Sequence, residues 1–247
     1  MTATMTATGE GLLRNILLHP DDDDARLVYA DWLEESGQTT RAEFIRVQVE
    51  LANIREPECK TPGNLFGEHV NDCWGCIRCK WNWKERTVER CRYHVLCLRE
   101  LDWLMNDTVD WFDAQLFDEN WRGIGRVVDH DGSRYHGGWF NGNQYILADF
   151  RRGFVESVSC RCQDWLDHAG VIMARHPVQR VTLTDAIEGN GSLVDRQRLG
   201  PLFDLFDPPR AAVRTGWIRD EPRERINQLL SAACLTYGRR AAGLETP

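Results

Sequence analysis

Apolar residues recur three and four positions apart from residue 9 to residue 54, which is the period of an amphipathic helix. The pattern predicts three helices, in the segments GEGLLRNILLHP, DDDDARLVYADWLEESG and QTTRAEFIRVQVELANI. Pro20 ends the first helix, and the run Asp21 to Asp24 supplies an N-cap and favourable charge for the second. Gly37 ends the second helix as a C-cap.

The second and third helices carry apolar stripes that predict a buried core. The predicted core positions are Val28, Tyr29, Trp32, Leu33, Phe44, Val47 and Leu51. Nothing in these stripes requires a ligand, so we interpret Trp32 as a packing residue.

The run HPDDDDARLVYADWLEESGQTTRAEFIRVQVEL, residues 19 to 51, resembles the short N-terminal module of the bacterial repeat-companion family. The shared pattern is close to P-D-D-x-x-R-L-V-Y-A-D-W-L-E-E-x-G, followed by R-A-E-F-I-R-x-Q. The resemblance implies that repeat-like segments of strand and helix follow the module. It implies little about function.

A second stretch, FRRGFVESVSCRCQDWLDHAGVIMARHPVQRVTLTDA at residues 150 to 186, fits the same family. Apolar and polar residues alternate from Phe154 to Ser159 and from Val178 to Leu183, as in strands, and Gln163 to Arg175 has a helical period. These elements form one βαβ unit that resembles a single turn of a leucine-rich repeat. One unit cannot bury its own face, so it must pack on flanking segments, either as scaffold or with a recognition surface along its strands.

Residues 106 to 149 are rich in Asp, Gly, Trp and Tyr and predict short strands and hairpins. Their turn signals are Asp131-Gly132, Gly137-Gly138 and Asn141-Gly142. The tail predicts a chain break at Asp207-Pro208-Pro209 and a helix from Pro222 to Tyr237.

These patterns predict an α+β fold with an N-terminal helical module, a central zinc-binding module and a C-terminal leucine-rich-repeat-like βαβ segment with short strands and hairpins. The predicted boundaries are 9–54 for the helical module, 55–105 for the Cys/His module and its helix, 106–237 for the β-rich region, and 238–247 for a flexible tail.

Composition narrows the class of protein. The chain has 247 residues, 42% of them hydrophobic, which is enough for one sizeable core or two small ones. No apolar run reaches the roughly 20 residues of a membrane-spanning helix, and MTATMTATGE lacks the features of a signal peptide. We therefore expect a cytoplasmic protein that does not enter membranes.

The charge pattern bears on nucleic-acid binding. The net charge is -8, so the molecule repels nucleic acid unless basic residues gather on one face. Such a gathering occurs at residues 78 to 99, which contain Arg78, Lys80, Lys84, Arg86, Arg90, Arg92 and Arg99. This segment is either a solvated helix face or a phosphate-binding surface.

The strongest chemical signal is a cluster of cysteine and histidine. Six of the nine cysteines lie in residues 59 to 97, with the spacing Cys73-x2-Cys76-x2-Cys79-x11-Cys91-x2-His94-x2-Cys97. Two ligands separated by two residues can share a metal, and two such pairs complete a tetrahedral Zn²⁺ site. Two pairings satisfy this rule. One is C-x2-C-x11-C-x2-H, with Cys76, Cys79, Cys91 and His94, and the other is C-x2-C-x17-H-x2-C, with Cys73, Cys76, His94 and Cys97.

The number of metal ions stays open at this point. Adding Cys59 and His69 gives eight candidate ligands, enough for two zinc sites. An iron–sulfur cluster is less favoured because the Cys-Pro of the bacterial ferredoxin run is absent. The run Cys97-Leu98-Arg99-Glu100-Leu101 resembles the charged helix that follows the cysteines in the repeat-companion family, which favours Cys97 as a ligand.

Two other interpretations of the cysteines compete with zinc. Residues 80 to 104 form a single helix in one of them, with Cys91 and Cys97 packed as small apolar residues. Cys160 and Cys162, one residue apart in a strand, point to one face and are ordinary thiols or further ligands, with Cys234 remote. If the zinc is structural, we expect its removal to unfold 59–97 while 9–54 and 150–186 keep their cores.

No catalytic constellation emerges from the sequence, so the leading hypothesis is a non-enzymatic adaptor that binds another protein and is stabilised by structural zinc. The alternatives are a nucleic-acid-binding protein and a metal-dependent nuclease. The stretch VVDHDGSRYHGGWFNGNQYIL, with Asp129-His130 and Asn143-Gln144, faintly resembles the core of an HNH endonuclease. The metal-binding residues expected after its asparagine are missing.

Overall fold

A computed structural model describes residues 2–54, 80–82, 87–89, 92–106, 122–128, 135–141, 144–187, 196–205 and 223–244. The helices are α1 Thr2–Leu18, α2 Asp23–Glu35, α3 Thr39–Asn53, α4 Arg92–Asn106, α5 Cys162–Met173, α6 Arg196–Leu199, α7 Leu202–Leu205 and α8 Arg223–Ala241. The strands are β1 Lys80–Asn82, β2 Thr87–Glu89, β3 Arg122–Val128, β4 Tyr135–Asn141, β5 Gln144–Arg151, β6 Phe154–Cys160 and β7 Arg180–Leu183. The predicted α+β class is confirmed.

The three predicted N-terminal helices are present, and the predicted signals mark the end of α1 and both ends of α2. The Asp22 side chain caps α2 by accepting a hydrogen bond from the Ala25 N–H at 3.1 Å, and α1 ends before Pro20. Gly37 follows α2 with φ +88°, a conformation that favours glycine. Helix α1 begins at Thr2, earlier than the predicted segment.

The helical core follows the predicted stripes with one exception. Leu33, Phe44 and Val47 are buried, while Tyr29, Trp32 and Leu51 are partly buried. Val28 was predicted to be a core residue, and this is wrong, because its side chain is 51% exposed. The buried stripe of α2 instead contains Arg26, Ala30 and Leu33, and Val28 lies on nearly the opposite side of the helix.

One five-stranded sheet, in the order β3-β4-β5-β6-β7, dominates the rest of the fold. All neighbours are antiparallel except β6 and β7, which are parallel and joined through α5, so the predicted βαβ unit is confirmed. The predicted turn at Gly137-Gly138 is wrong. Both glycines lie inside strand β4, where Gly138 pairs with Ile124 on one side and with Leu147 on the other.

The single helix predicted as one interpretation of residues 80 to 104 is also wrong. Strands β1 and β2 pair as an antiparallel hairpin, and the helix starts only at Arg92. Helix α4 then packs along α3, where its buried residues Leu96 and Trp103 join the larger cluster of buried residues, which we call the main core. The Phe44 and Trp103 rings meet edge to face, with 6.1 Å between centroids.

The buried residues that the structure describes form two clusters, which meet at α3. The larger cluster contains Phe44 and Val47 of α3 together with residues of α4, the sheet, α5 and α8. The smaller one lies among α1, α2 and α3 and includes Phe154 from β6. The N-terminal helices therefore share their core with the sheet. In the described part of the chain, no helix has the length and apolar character needed to cross a membrane.

Candidate functional site

The two faces of strands β5, β6 and β7 differ in burial. On one face the buried side chains are Ile146, Ala148, Val158, Cys160, Val181 and Leu183. These residues belong to the main core, together with residues of α5 and α8. Because side chains alternate along a strand, the residues between them point to the opposite face of the sheet.

That opposite face, which we call the open face, consists of Leu147, Asp149, Ser157, Ser159, Arg180 and Thr182. All six side chains are at least partly accessible, and Arg180 and Thr182 are exposed. The strand register arranges them in two rows. Leu147, Ser159 and Thr182 are cross-strand neighbours in one row, and Asp149, Ser157 and Arg180 form the other.

The open face presents hydrogen-bonding groups on a flat support. Neighbouring strands lie about 4.8 Å apart, so each row spans about 10 Å from β5 to β7. Ser157, Ser159 and Thr182 supply hydroxyl groups that both donate and accept hydrogen bonds. Arg180 places a positive charge at one end of its row and Asp149 a negative charge at the other. Ser157 therefore lies between two opposite charges in one row, and the neighbouring row adds the hydroxyl groups of Ser159 and Thr182.

The outer edge of the sheet at β7 lies against α8. The Val181 N–H donates a hydrogen bond to the Ser231 hydroxyl of α8 at 2.9 Å. A side chain thus occupies a backbone donor that another strand would otherwise use.

Beside the open face, the hairpin between β5 and β6 contacts the N-terminal helices. Arg152 and Gly153 form its two-residue loop with φ +50° and +86°, the signs of a type I′ turn. Asp149 pairs with Ser157 and Phe150 pairs with Val155, so Glu156 is an extra residue in β6. This bulge directs the Glu156 side chain toward the helices, where it is buried.

Glu156 meets two arginines. Arg26, which is fully buried, donates to Glu156 Oε1 at 2.8 Å, to the Arg152 carbonyl at 2.9 Å and to the Pro20 carbonyl at 2.5 Å. Arg152 donates to the same carboxylate at 3.1 and 3.3 Å. Burial raises the pKa of the Glu156 carboxyl, against the opposing effect of both guanidinium groups. Burial likewise lowers the pKa of Arg26, and Glu156 offsets part of that change.

Phe154 is the apolar centre of the contact between hairpin and helices. The guanidinium carbons of Arg26 and Arg41 lie 5.4 and 5.6 Å from its ring centroid, within the range of cation–π attraction. The Tyr29 ring lies 5.8 Å away. Phe154 itself is buried among residues of all three N-terminal helices. The hairpin therefore presents an aromatic ring and a carboxylate to one face of the helical module.

Gln48 connects the hairpin to two helices. Its amide nitrogen donates to Glu100 Oε1 of α4 at 2.7 Å, and its oxygen accepts from the Gly153 N–H at 2.6 Å. Burial raises the pKa of the Glu100 carboxyl, and the bond from Gln48 opposes that shift. A Cβ atom on Gly153 would collide with the backbone and side chain of Ile45. Only glycine allows this close approach.

His176 completes the buried surroundings of the hairpin. Its Nδ1 lies 3.4 Å from the Val155 N–H, and its ring meets Phe150 and Phe154 edge to face. Burial lowers the pKa of His176 to about 3, and the nearby charges of Arg41 and Arg175 act in the same direction. The imidazole is therefore neutral near pH 7 and accepts a hydrogen bond.

Most predicted zinc ligands lie outside the described residues. These are Cys59, His69, Cys73, Cys76, Cys79 and Cys91. His94 lies in the first turn of α4, and Cys97, one turn later, is a half-buried reduced thiol. Among the residues that the structure describes, no group of three or more His, Cys, Asp or Glu side chains is placed to hold a metal ion. Asp129 and His130 of the nuclease alternative also lie outside the described ranges.

Cys160, Cys162 and Cys234 are buried in the same cluster, so the expectation that Cys234 is remote is wrong. Cys162 is also not a strand residue, because it begins α5. Burial raises the pKa of all three thiols, that of Cys162 to about 11. The Cys162 thiol donates to the Arg198 carbonyl at 3.2 Å. These thiols pack as small apolar residues.

The sequence does not predict the contact between the hairpin and the helices, although it contains one signal for it. Arg26 shares the helical face of Ala30 and Leu33, and a charged residue in an apolar stripe needs a buried partner. Its partner Glu156 is 130 residues away in sequence, so periodicity could not identify it.

Comparison with known proteins gives no match to the chain among family models, curated proteins or solved structures. The resemblance to the repeat-companion family stays a prediction.

Proposed function

We propose that this protein is a non-enzymatic adaptor whose open face binds another protein. The observation that carries the proposal is the accessible, hydroxyl-rich surface of β5, β6 and β7, supported from behind by the main core. A rigid sheet holds short side chains at fixed spacings, which limits the entropy lost when a partner binds. Ser159 and Thr182 can hydrogen bond to a polypeptide, while Arg180 can pair with an acidic side chain.

Charge favours a protein partner over nucleic acid. The chain has a net charge of -8, and the open face contains one arginine and one aspartate. In the basic segment 78–99, Arg92 forms two hydrogen bonds to Glu50, and Arg99 forms two to Glu43. These carboxylates on α3 neutralise positive charge that a phosphate-binding surface would need.

The open face can be tested by substitution of two of its accessible positions. Ser159→Arg with Thr182→Arg would fill the middle of the face with bulky charge, and Gln228→Arg on exposed α8 is the matched control. Peptides selected from a display library on the wild-type protein should bind the control equally and lose at least tenfold in affinity for the double variant. Peptides that bind all three proteins equally would refute the proposal.

We further propose that the Cys/His segment binds structural zinc. The hairpin of β1 and β2 is followed by α4, an order that also occurs in small zinc folds. Cys79 directly precedes β1, and Cys91 directly precedes α4. Candidate ligands at the proposed spacing, such as Cys76 with Cys79 and Cys91 with His94, therefore lie before and after the hairpin in the sequence.

Elemental analysis of the purified protein tests the zinc proposal separately from the open face. One or two equivalents of zinc are expected, with loss of at least one equivalent in Cys76→Ser. Cys234→Ala is the matched control, because Cys234 is buried in the main core and should leave the zinc content unchanged. A folded, zinc-free wild-type protein would contradict the proposal and leave the open face unaffected.

A further inference from the structure

The N-terminal helices hold the β5–β6 hairpin as a receptor holds a ligand. In the part of the chain that the structure describes, the smaller buried cluster consists of residues from α1, α2 and α3 together with Phe154 from β6. The aromatic ring enters from a two-residue turn and has apolar side chains and two guanidinium groups around it. An anchor side chain of this kind dominates the energetics of many protein interfaces.

Polar side chains of the helical module also contact successive residues of the hairpin. Arg152 pairs with Asp23 at 3.5 Å and with Asp21 at 3.5 Å. Its carbonyl accepts from Arg26, and the next residue, Gly153, donates its N–H to Gln48. Two residues beyond Phe154, the Glu156 carboxylate accepts from Arg26.

Each contacted position imposes its own requirement on a bound turn. Gly153 must be glycine because its φ is +86° and Ile45 lies against it. Phe154 must be aromatic to fill the cluster between Arg26 and Arg41. Glu156 must be acidic because Arg26 is buried and needs a compensating charge. The surface of the helices is thus complementary to the sequence Arg-Gly-Phe-x-Glu in a type I′ turn.

We propose that the helical module of α1, α2 and α3 is a recognition module for hairpin turns of the sequence Arg-Gly-Phe-x-Glu. It binds such a turn from a separate polypeptide whenever its own turn is displaced. In the intact chain the turn is tethered, which gives it an effective concentration on the order of millimolar, so it excludes competitors. This inference concerns a surface other than the open face and is independent of the function proposed above.

The test uses two full-length variants that are defective in complementary parts. Phe154→Ala has a weakened turn and an intact receptor, whereas Arg26→Ala has an intact turn and a weakened receptor. Mixing them should give a heterodimer, detected by light scattering at about twice the mass of one chain, while each variant alone and the wild type stay at their own mass. Phe154→Leu and Arg26→Lys replace any alanine variant that loses its circular dichroism spectrum.

A labelled cyclic hairpin peptide of residues 146 to 160 provides the second measurement. It should bind the Phe154 variant, and replacing Phe154 by Ala in the peptide should weaken binding by about a hundredfold or more, the loss expected for a buried aromatic. The wild-type chain should bind at least tenfold more weakly than the variant, because its own turn occupies the module. A folded variant that binds neither the peptide nor the Arg26 variant would overturn the proposal.

Discussion

Replacing Arg26 with methionine should destabilise the protein far more than removing an exposed arginine. The guanidinium group of Arg26 is fully buried and contacts the Glu156 carboxylate and the carbonyls of Pro20 and Arg152. Methionine keeps much of the apolar volume and removes every one of these hydrogen bonds. Glu156 is then left with Arg152 as its remaining cation.

The expected cost is about 4 kcal/mol. Removing one partner of a buried ion pair typically costs about 3 to 5 kcal/mol, and Arg152 keeps the value near the lower limit. The carbonyls of Pro20 and Arg152 lose a donor, which adds about 1 kcal/mol each. Packing of the methionine side chain returns about 1 kcal/mol. As a control, Arg46→Met removes two ion pairs with exposed Asp31 and Glu34, which is expected to cost less than about 1 kcal/mol.

Urea denaturation at pH 7 measures both free energies of unfolding. Adding Glu156→Gln to Arg26→Met should recover part of the loss, because it removes the carboxylate that has lost its principal partner. If Arg26→Met cost no more than Arg46→Met, the hairpin contact would not be a buried ion pair and the argument would fail.

Three further predictions concern His176, the aromatic residues Phe44 and Trp32, and the Cys162 thiol. Because the fold requires a neutral His176, its contribution to the free energy of unfolding should be fully present above pH 6.5. That free energy should fall by up to about 1.4 kcal/mol per pH unit as the pH drops toward 3. His176→Asn should reduce this pH dependence, as measured by urea denaturation at pH 7 and pH 5. Phe44→Ala should cost about 3 to 5 kcal/mol and the partly exposed Trp32→Ala about half as much, and equal melting temperatures would contradict the observed burial. Cys162, with a pKa of about 11, is about one part in a thousand thiolate at pH 8, so a thiol reagent should label it only after unfolding, as mass spectrometry of its peptide would show.

Local signals in the sequence predicted the local structure well. Asp22 caps α2 and Gly37 follows it with positive φ, because capping depends on a few adjacent residues. The strand at Phe154–Cys160 and its parallel partner β7 followed from alternation and from the helix between them. The same alternation indicated a surface along the strands, which is where the open face lies.

The remaining features depend on contacts that are distant in sequence. The apolar period of α2 predicts Val28 in the core, whereas the buried side carries Arg26, which lies almost opposite Val28 around the helix axis. The bulge at Glu156 depends on the register of β5 against β6, which no local pattern specifies. Gly137 and Gly138 carry a turn signal, but pairing with strands on both sides outweighs it.

The packing of α4 on α3 limits how much of the chain would unfold if the proposed zinc were removed. Leu96 and Trp103 are buried in the main core, and burial of two such side chains contributes about 2 to 3 kcal/mol each. Paired contacts of Arg92 with Glu50 and of Glu100 with Gln48 add to this anchorage without any metal.

Trypsin tests this argument because basic residues lie on both sides of the start of α4. If the proposed zinc is structural, a chelator should expose Lys84, Arg86 and Arg90 to cleavage, since the segment before α4 would lose the metal that orders it. The bond after Arg99 should stay resistant to trypsin, because Leu96 and Trp103 hold this part of α4 in the main core and Arg99 itself bonds to Glu43 of α3. Zinc added back should restore resistance upstream. Cleavage at Arg99 as fast as at Arg90 would show that the metal, rather than contact with α3, holds α4 in place.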